Sequence, residues 1–516
     1  MLLALLVPAC ATPFPPELKG AEPEPVVALL ADSYQQASEN YLYEANVSEM
    51  ALSGLSEISQ VYDGWEVTPG GDIVTVALRN EEILRFARPA ETDIDGWATQ
   101  VATALIAVAE RPDTRDVPSR RLFEAHMQGV AKALGSDVEY ISFEAFWEWL
   151  REFPDSAPAF TYRRTDAGLQ VVDLDSGGRL EKEGLRLGDV ITAIDGADVT
   201  TLKSVQLFQL LVGQEGSKVV LSVGRGDPPQ PLSLQVTRWK PEPLTVRVVR
   251  HGAIAAFELT RLSADLTNDF WKAMRYEFRE AKFAKKPLTG LLVDLRGVSG
   301  GVDEAIGFTE IFLGAGVKLV ERGRLPSSEK LWKAGLPDES ERLPLVVLID
   351  GLSGLGAEVV AAALQDNGRA LLIGSSTFGA GVRYDPLTLP DNGRPSSLGL
   401  FSMPTKRLYA PSGYGLEGRG VVPDICIAGS ERSVEGWLTA LRRGQGLIGL
   451  PDRLRHIDPD DDVGLAAHRA LCPAEPDLLT FHPGARDTLG QDLAERLALA
   501  ILNDPALYRQ LLRPSF

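Results

Sequence analysis

Two apolar runs set the terms for what this 516-residue chain can become: Gly290-Leu-Leu-Val-Asp-Leu and Pro344-Leu-Val-Val-Leu-Ile-Asp. Neither alternates polar with apolar residues, so neither suits a strand with one face in water. Each suits a strand covered on both faces. From Ala253 onward such runs alternate with helical patterns, which implies a layered α/β core. A chain of this length exceeds one hydrophobic core and divides into three or four domains.

Before the core the texture changes twice. Residues 25–155 read as a mainly helical domain, with apolar residues at three- and four-residue spacing in Pro25 to Tyr34, Trp97 to Ala109 and Arg121 to Leu134. A short strand pair interrupts at Val67 to Leu78 around Gly70-Gly71, and Ser142 caps a last helix, Phe143 to Arg151. His126 stands alone in a helical pattern and reads as a surface or satisfied histidine. After a Pro154–Pro158 linker, residues 158–240 turn to strands, with one helix at about Leu202 to Leu211. The α/β core spans 241–430, and 431–516 reads as a helical region ending in Leu489 to Leu512.

Composition excludes several functions. The net charge of −19 argues against nucleic acid or anionic surfaces as partners, because phosphate binding needs basic patches. Three cysteines (Cys10, Cys426, Cys472) are too few and scattered for a disulfide framework or a zinc site, and whether Cys426 and Cys472 pair stays open. No histidine falls in a metal-ligand spacing, and no cofactor is implied. Met1 to Pro8 is apolar, and Leu6-Val-Pro-Ala-Cys10 resembles the lipobox of bacterial lipoproteins, whose cysteine is lipidated. A Pro- and Glu-rich tether follows, closing residues 1–24. This resemblance implies a periplasm-facing envelope protein that meets the membrane only through its lipid. The plainer alternative is a short apolar leader with an incidental cysteine.

Gly184-Leu-Arg-Leu-Gly-Asp-Val-Ile-Thr-Ala-Ile-Asp-Gly resembles the most recognisable stretch of bacterial PDZ domains. In that reading Gly168, Leu169, Gln170 and Val171 match the loop that receives a peptide C-terminal carboxylate, and the following strand edge is open to an extended peptide. The partners implied are protein or peptide C-termini, with an active peptidase relative as a further candidate.

The core carries four ordered stretches: Val293-Asp-Leu-Arg-Gly-Val-Ser-Gly-Gly, Glu358-Val-Val-Ala-Ala-Ala-Leu-Gln-Asp with Ala370-Leu-Leu-Ile-Gly, Thr377-Phe-Gly-Ala-Gly, and Tyr409-Ala-Pro-Ser-Gly with Gly420-Val-Val-Pro-Asp-Ile. On these it resembles the C-terminal-processing, or tail-specific, serine peptidases, which join a PDZ domain to a crotonase-like α/β core. The resemblance implies a serine nucleophile, a lysine base and an assisting glutamine. Anchored on Glu358, the nucleophile position is Leu355; the lysine position is Ala380 and the glutamine position Tyr384. Leucine has no proton to give up and alanine no amine to receive one, so the acyl-transfer chemistry loses its reacting atoms. The amides of Gly300, Gly301 and Gly356 are the remaining oxyanion-like groups. Ser353 is the displaced candidate nucleophile, and Ser375 and Ser376 read as turn residues. Lys406 belongs to another strand, and His251 has no aligned serine–aspartate partner. Three readings follow: a pseudopeptidase that binds tails, an active endopeptidase using displaced residues, and a purely structural envelope protein whose PDZ groove is closed.

Overall fold

In the computed structural model the helical periodicities near the N-terminus become α1 (Pro23–Asn40), α2 (Val47–Glu57), α3 (Ile94–Ala109) and α4 (Ser119–Leu134). The structure describes residues 17–114, 116–142, 144–145, 160–165, 167–174, 179–186, 188–202, 204–226, 228–239, 246–259, 261–391, 394–448, 461–473 and 493–512. Cys10 and most of the helix expected over Phe143–Arg151 lie outside them.

The described chain divides into two compact units, the first holding Met1–Phe153, Lys203–Val205 and Tyr384–Thr405. Its core buries Leu30, Tyr34, Met50, Trp97, Leu105 and Phe123. Helices α2 and α4 touch closely at Gly129, where an added Cβ would lie 2.3 Å from the Ser53 carbonyl. His126 is buried there with its Nε2 2.6 Å from the Tyr34 hydroxyl, and burial holds its pKa down to about 4. It is a core histidine, not a surface one, and it is paired through Nε2. The strand pair is a three-stranded meander: β1 (Trp65–Pro69), β2 (Ile73–Leu78) and β3 (Glu81–Ala87). The loop between β2 and β3 is Arg79-Asn80, both at positive φ (50° and 65°), a hairpin turn made without glycine. β4 (Glu139–Ser142) completes the N-terminal chain of this unit.

The second unit begins with a strand-rich module. It comprises β5 (Phe160–Thr165), β6 (Gly168–Leu174), the short α5 (Arg179–Lys182), β7 (Val190–Ile194), β8 (Ala197–Asp198), α6 (Ser204–Leu211), β9 (Lys218–Arg225) and β10 (Gln230–Thr237). Its sheet runs β10-β9-β7-β6-β5, with β8 on β7. The Gly-Asp of the recognised stretch has a visible task. Asp189 is buried, takes both Nε and Nη2 of Arg225 at 2.8 Å, and accepts the Arg186 amide at 2.8 Å, so it fastens the turn into β7. Asp195 and Gly196, both at positive φ, close the β7–β8 hairpin.

The apolar runs form the centre of the α/β core. β11 (Arg247–His251), β12 (Ile254–Glu258), α7 (Ala264–Phe283), β13 (Gly290–Asp294), α8 (Val302–Glu310), β14 (Val317–Arg322), β15 (Lys330–Lys333), β16 (Leu345–Ile349), α9 (Gly356–Asp366) and β17 (Leu371–Gly374) follow in order. Next come β18 (Val382–Asp391), β19 (Arg394–Tyr409), β20 (Ile425–Cys426), α10 (Val434–Arg442), α11 (Asp462–Arg469), α12 (Leu493–Leu502) and α13 (Pro505–Leu511). The central sheet is β11-β12-β13-β16-β17-β20, parallel from β12 onward. Every residue of β13 and β16 is buried. One face packs under α7, α8 and α9 through Leu291, Val293, Leu345 and Val347; the other packs under α10, α12 and α13 through Leu292, Val346 and Leu348. The described helices of the region after residue 430 supply the second cover of the sheet. The segment expected as one run from Leu489 to Leu512 breaks at Asp504, which caps α13 ahead of Pro505.

Residues 384–405 of the expected core belong instead to the first unit. There β19 pairs with β4 (Gly399↔Ser142 to Ser402↔Glu139), and Leu389, Phe401 and Met403 join that unit's buried core.

Candidate functional site

The loops leaving the carboxyl ends of β13, β16 and β17 carry the residues singled out for catalysis, at the edge of an open α/β sheet where ligands bind. Hydrogen bonds lace the three loops together. Asp350 is buried and accepts the amides of Gly297 (3.0 Å), Leu352 (3.0 Å) and Ser353 (2.9 Å). Burial raises its pKa, and the hydrogen bonds and the charge of Arg296 only partly offset this. Arg296 is itself fixed by a two-pronged pair with Asp294, at 3.0 and 2.7 Å. The Gly354 amide donates to Val298 (3.0 Å), and the Phe378 amide to Ser353 (3.1 Å).

Leu355 sits at the strand-to-helix turn, as the N-cap of α9, with φ 30° and ψ −86°. That is a left-handed conformation for a residue with a side chain, and it costs free energy that surrounding contacts must offset. Its side chain packs half-buried against the core. The oxyanion expectation needs correcting. The Gly356 amide donates to the Gly300 carbonyl at 3.1 Å, so the donor expected to face an oxyanion is spent inside the turn. An added Cβ on Gly356 would meet Gly300 O at 2.9 Å and Gly301 O at 3.0 Å, so the turn is already closed to contact. Gly301 caps α8, its carbonyl accepting the Ala305 amide at 3.1 Å.

Ser353 is fully buried, its hydroxyl donating to Leu295 O (2.8 Å) and accepting from the Asp350 amide (3.0 Å). Those bonds commit it to the turn and leave no path to a substrate carbonyl. Ser375 and Ser376 are buried in the turn after β17. Lys406 Nζ donates to Ser328 O at 3.2 Å, and His251 Nε2 lies 3.3 Å from Glu495. Tyr384 lies in the first unit, half-exposed on β18 and hydrogen-bonded to Asp137.

Ala380 is half-buried on a loop that Glu358 holds. This carboxyl is fully buried on α9 and accepts the Thr377 hydroxyl (2.8 Å), the Gly379 amide (2.5 Å) and the Ala380 amide (2.9 Å). Desolvation pushes its pKa up to about 7 despite these bonds. Sequence reasoning used Glu358 only as a landmark; an acidic residue in the first turn of an otherwise apolar helix was the available signal of an anchored loop. Glu358 thus fixes the 377–380 loop, whose last residue is an alanine.

The strand-rich module requires a second correction. Gly168 to Val171 do not form an open edge: β6 has β5 on one side and β7 on the other, with Leu169 paired to Arg164 and to Ile191. Leu169 and Val171 are buried in the module's core, and a Cβ on Gly168 would lie 2.2 Å from Ile191 O. Among the described residues the strand with a single sheet neighbour on this side is β5. Phe160 and Tyr162 of β5 and Leu210 of α6 are three of the five partly buried apolar side chains packed on this core, with Leu202 and Leu234. The alternation in Phe160-Thr-Tyr162 was the overlooked signal; attention to the glycine displaced the reading by one strand.

Comparison with known proteins agrees with this architecture. Residues 159–236 match the PDZ domain model and residues 257–427 match Peptidase family S41. A carboxy-terminal-processing protease of Bartonella bacilliformis is 30% identical over 48% of this chain and 55% of its own. A "Probable CtpA-like serine protease" of Staphylococcus haemolyticus is 25% identical over 52% of this chain and 51% of its own. The solved photosystem II D1 C-terminal processing protease aligns at 23% identity and TM-score 0.49, covering 59% of this chain and 81% of that one. The chain spans about half the length of the curated relatives it matches. Its PDZ module and its S41-like core thus make the chain similar to the C-terminal-processing peptidases.

Proposed function

We propose that the chain is a non-catalytic member of its family, binding protein C-termini or unfolded peptides through its PDZ domain and so scaffolding or regulating proteolysis. The observation that carries this reading is the turn at Leu355. A leucine occupies the nucleophile position, the Gly356 amide is committed to Gly300, and the base position opposite is Ala380. Loss of one member of a serine peptidase triad already costs about 10⁴- to 10⁶-fold in rate. The alternative, an active endopeptidase using Ser353, is weakened by the burial of that hydroxyl.

Peptide capture rests on β5. A strand with one sheet neighbour among the described residues presents an edge to an extended peptide, and the neighbouring apolar side chains offer selectivity. The disulfide between Cys426 and Cys472 supports an oxidising compartment, in keeping with the envelope location that the Cys10 pattern suggests. If Cys10 is lipidated, wild type partitions with detergent-extracted membranes and Cys10→Ala is released; recovery of wild type as a free protein retaining Met1 contradicts the anchor.

The test is incubation of the chain from about Glu22 onward with unfolded substrates bearing apolar C-termini, read by mass spectrometry. Intact substrates are expected. Cleavage that disappears in Ser353→Ala would reinstate the displaced nucleophile.

A further inference from the structure

The segment 461–473 reaches the loops of the candidate site by two attachments. Cys472, fully buried, is joined to Cys426 of β20 across 46 residues of sequence. One turn earlier, His468 of α11 is fully buried with its Nε2 2.9 Å from the Tyr414 hydroxyl, and the rings stack at 5.4 Å. The Tyr414 hydroxyl donates its one proton to the Gly420 carbonyl, so His468 must supply the proton between them, from Nε2. Tyr414 thus holds the 414–421 loop from beneath while α11 holds Tyr414.

That loop clasps the 377–381 segment. Gly418 N–H donates to Gly379 O at 2.8 Å, Thr377 N–H to Val421 O at 3.1 Å, and Val421 N–H to the Thr377 hydroxyl at 2.7 Å. The approach is backbone on backbone: a Cβ on Gly381 would lie 1.9 Å from the Glu417 amide, and one on Gly420 2.3 Å from Thr377 O. The same Thr377 hydroxyl donates to Glu358, and the next residues carry Ala380. A continuous chain of contacts therefore runs from the disulfide through α11, His468, Tyr414 and Gly418 to the loop at the base position.

We propose that the Cys426–Cys472 bond is a redox clamp on the candidate site: reduction by a dithiol releases α11, and the 414–421 and 377–381 loops loosen with it. Cys426 is the half-exposed partner, so a dithiol thiolate attacks its sulfur and expels the Cys472 thiolate. The second thiol of the reductant then closes on the mixed disulfide and expels the Cys426 thiolate. Two electrons and two protons pass from the dithiol to the protein, and the reductant leaves as its own disulfide. Without the covalent tie, the contacts of α11 described here are the His468–Tyr414 pair and the burial of Leu465 and His468, and segments held mainly by such local contacts open well below the global unfolding free energy. The proposal concerns regulation of the site read above as a binding site, but its test is independent of whether that site cuts.

The experiment is backbone hydrogen exchange on the full chain with and without dithiothreitol, the redox state verified by mass. Reduction is expected to raise exchange by about tenfold or more in 377–381 and 414–421, while β9, β10 and α1 to α4 keep their protection. Cys472→Ser is expected to show the same pattern without reductant. His468→Leu, which keeps the disulfide but breaks the chain at Tyr414, is expected to loosen 414–421 and, to a smaller extent, 377–381. Unchanged exchange in 377–381 with the bond reduced overturns the proposal. So does loss of protection throughout the chain, which makes the bond a general staple. Should Cys472→Ser not fold, the reduced wild type still decides between these outcomes.

Discussion

The open strand of the PDZ domain and the loop cluster of the S41 core differ in what their backbones have left to offer. β5 has one sheet neighbour among the described residues, so one side of its peptide groups is not used by the sheet. In the core the corresponding groups are consumed: Gly354 by Val298, Gly356 by Gly300, Phe378 by Ser353, and Gly379 and Ala380 by Glu358. A fold can keep the geometry of a catalytic turn, strained residue included, after the turn has closed on itself. Recognition then rests where hydrogen-bonding capacity remains, and buried groups cannot stay unpaired without cost.

Four measurements sharpen that contrast. The largest effect is expected from Leu169→Asp. Leu169 is fully buried between two strands, so a carboxylate there costs several kcal/mol and unfolds the PDZ module rather than blocking a pocket. Circular dichroism and peptide titration distinguish the two: a folded variant with weakened binding returns the pocket to Leu169.

Next is Glu358→Gln. The folded pKa of Glu358, about 7, lies above its ordinary 4.5, so the native state binds the extra proton in between. The carboxyl's contribution to stability is fully present below about pH 4.5 and is lost as pH rises through about 7, a loss of about 3 kcal/mol. Glutamine does not titrate, so in urea unfolding the difference between wild type and variant is expected to shift by that amount from about pH 4.5 to about pH 8. A constant difference contradicts the buried, raised carboxyl.

Smaller again is the effect of the ligand's own terminus. A peptide with a free carboxylate and an apolar last residue is expected to bind with micromolar Kd, and amidating its C-terminus to weaken binding at least about tenfold, or ~1.4 kcal/mol. Equal binding of both forms means the PDZ domain does not read a terminus.

The smallest effect, a difference of about 1 kcal/mol between two variants, separates strain from packing at Leu355. Leu355→Ala keeps the positive φ and loses the side-chain contacts, costing about 2 kcal/mol. Leu355→Gly loses the same contacts but relieves the backbone, so stability stays within about 1 kcal/mol of wild type. Equal losses for both variants remove the strained-turn description.

Much of this was legible in the residues. Apolar runs at 290–295 and 344–350 marked buried strands, and the family resemblance, anchored on Glu358 and on Thr377-Phe-Gly-Ala-Gly, pointed to Leu355 and Ala380, which the structure places at the turn before α9 and on the loop after β17. What was not legible depended on non-local contacts. The turn at Arg79-Asn80 carries no glycine, so β3 went unseen. The capture of 384–405 by the first unit depends on Phe401 and Met403 finding a core hundreds of residues away in sequence. Which PDZ strand lies at the edge is a property of sheet order, not of any one motif. The closing of the Gly356 amide on Gly300 is likewise invisible in a pair of glycines.

The central claim is that the chain binds tails without cutting them, and one sample tests both halves. A fluorescent free-acid peptide is titrated with the chain from about Glu22 onward, binding is read by anisotropy, and the same solution is then analysed for peptide mass and for labelling by a fluorophosphonate probe. Saturable micromolar binding with the peptide intact and the protein unlabelled is the predicted result. A shortened peptide, or probe labelling that vanishes in Ser353→Ala, would contradict it.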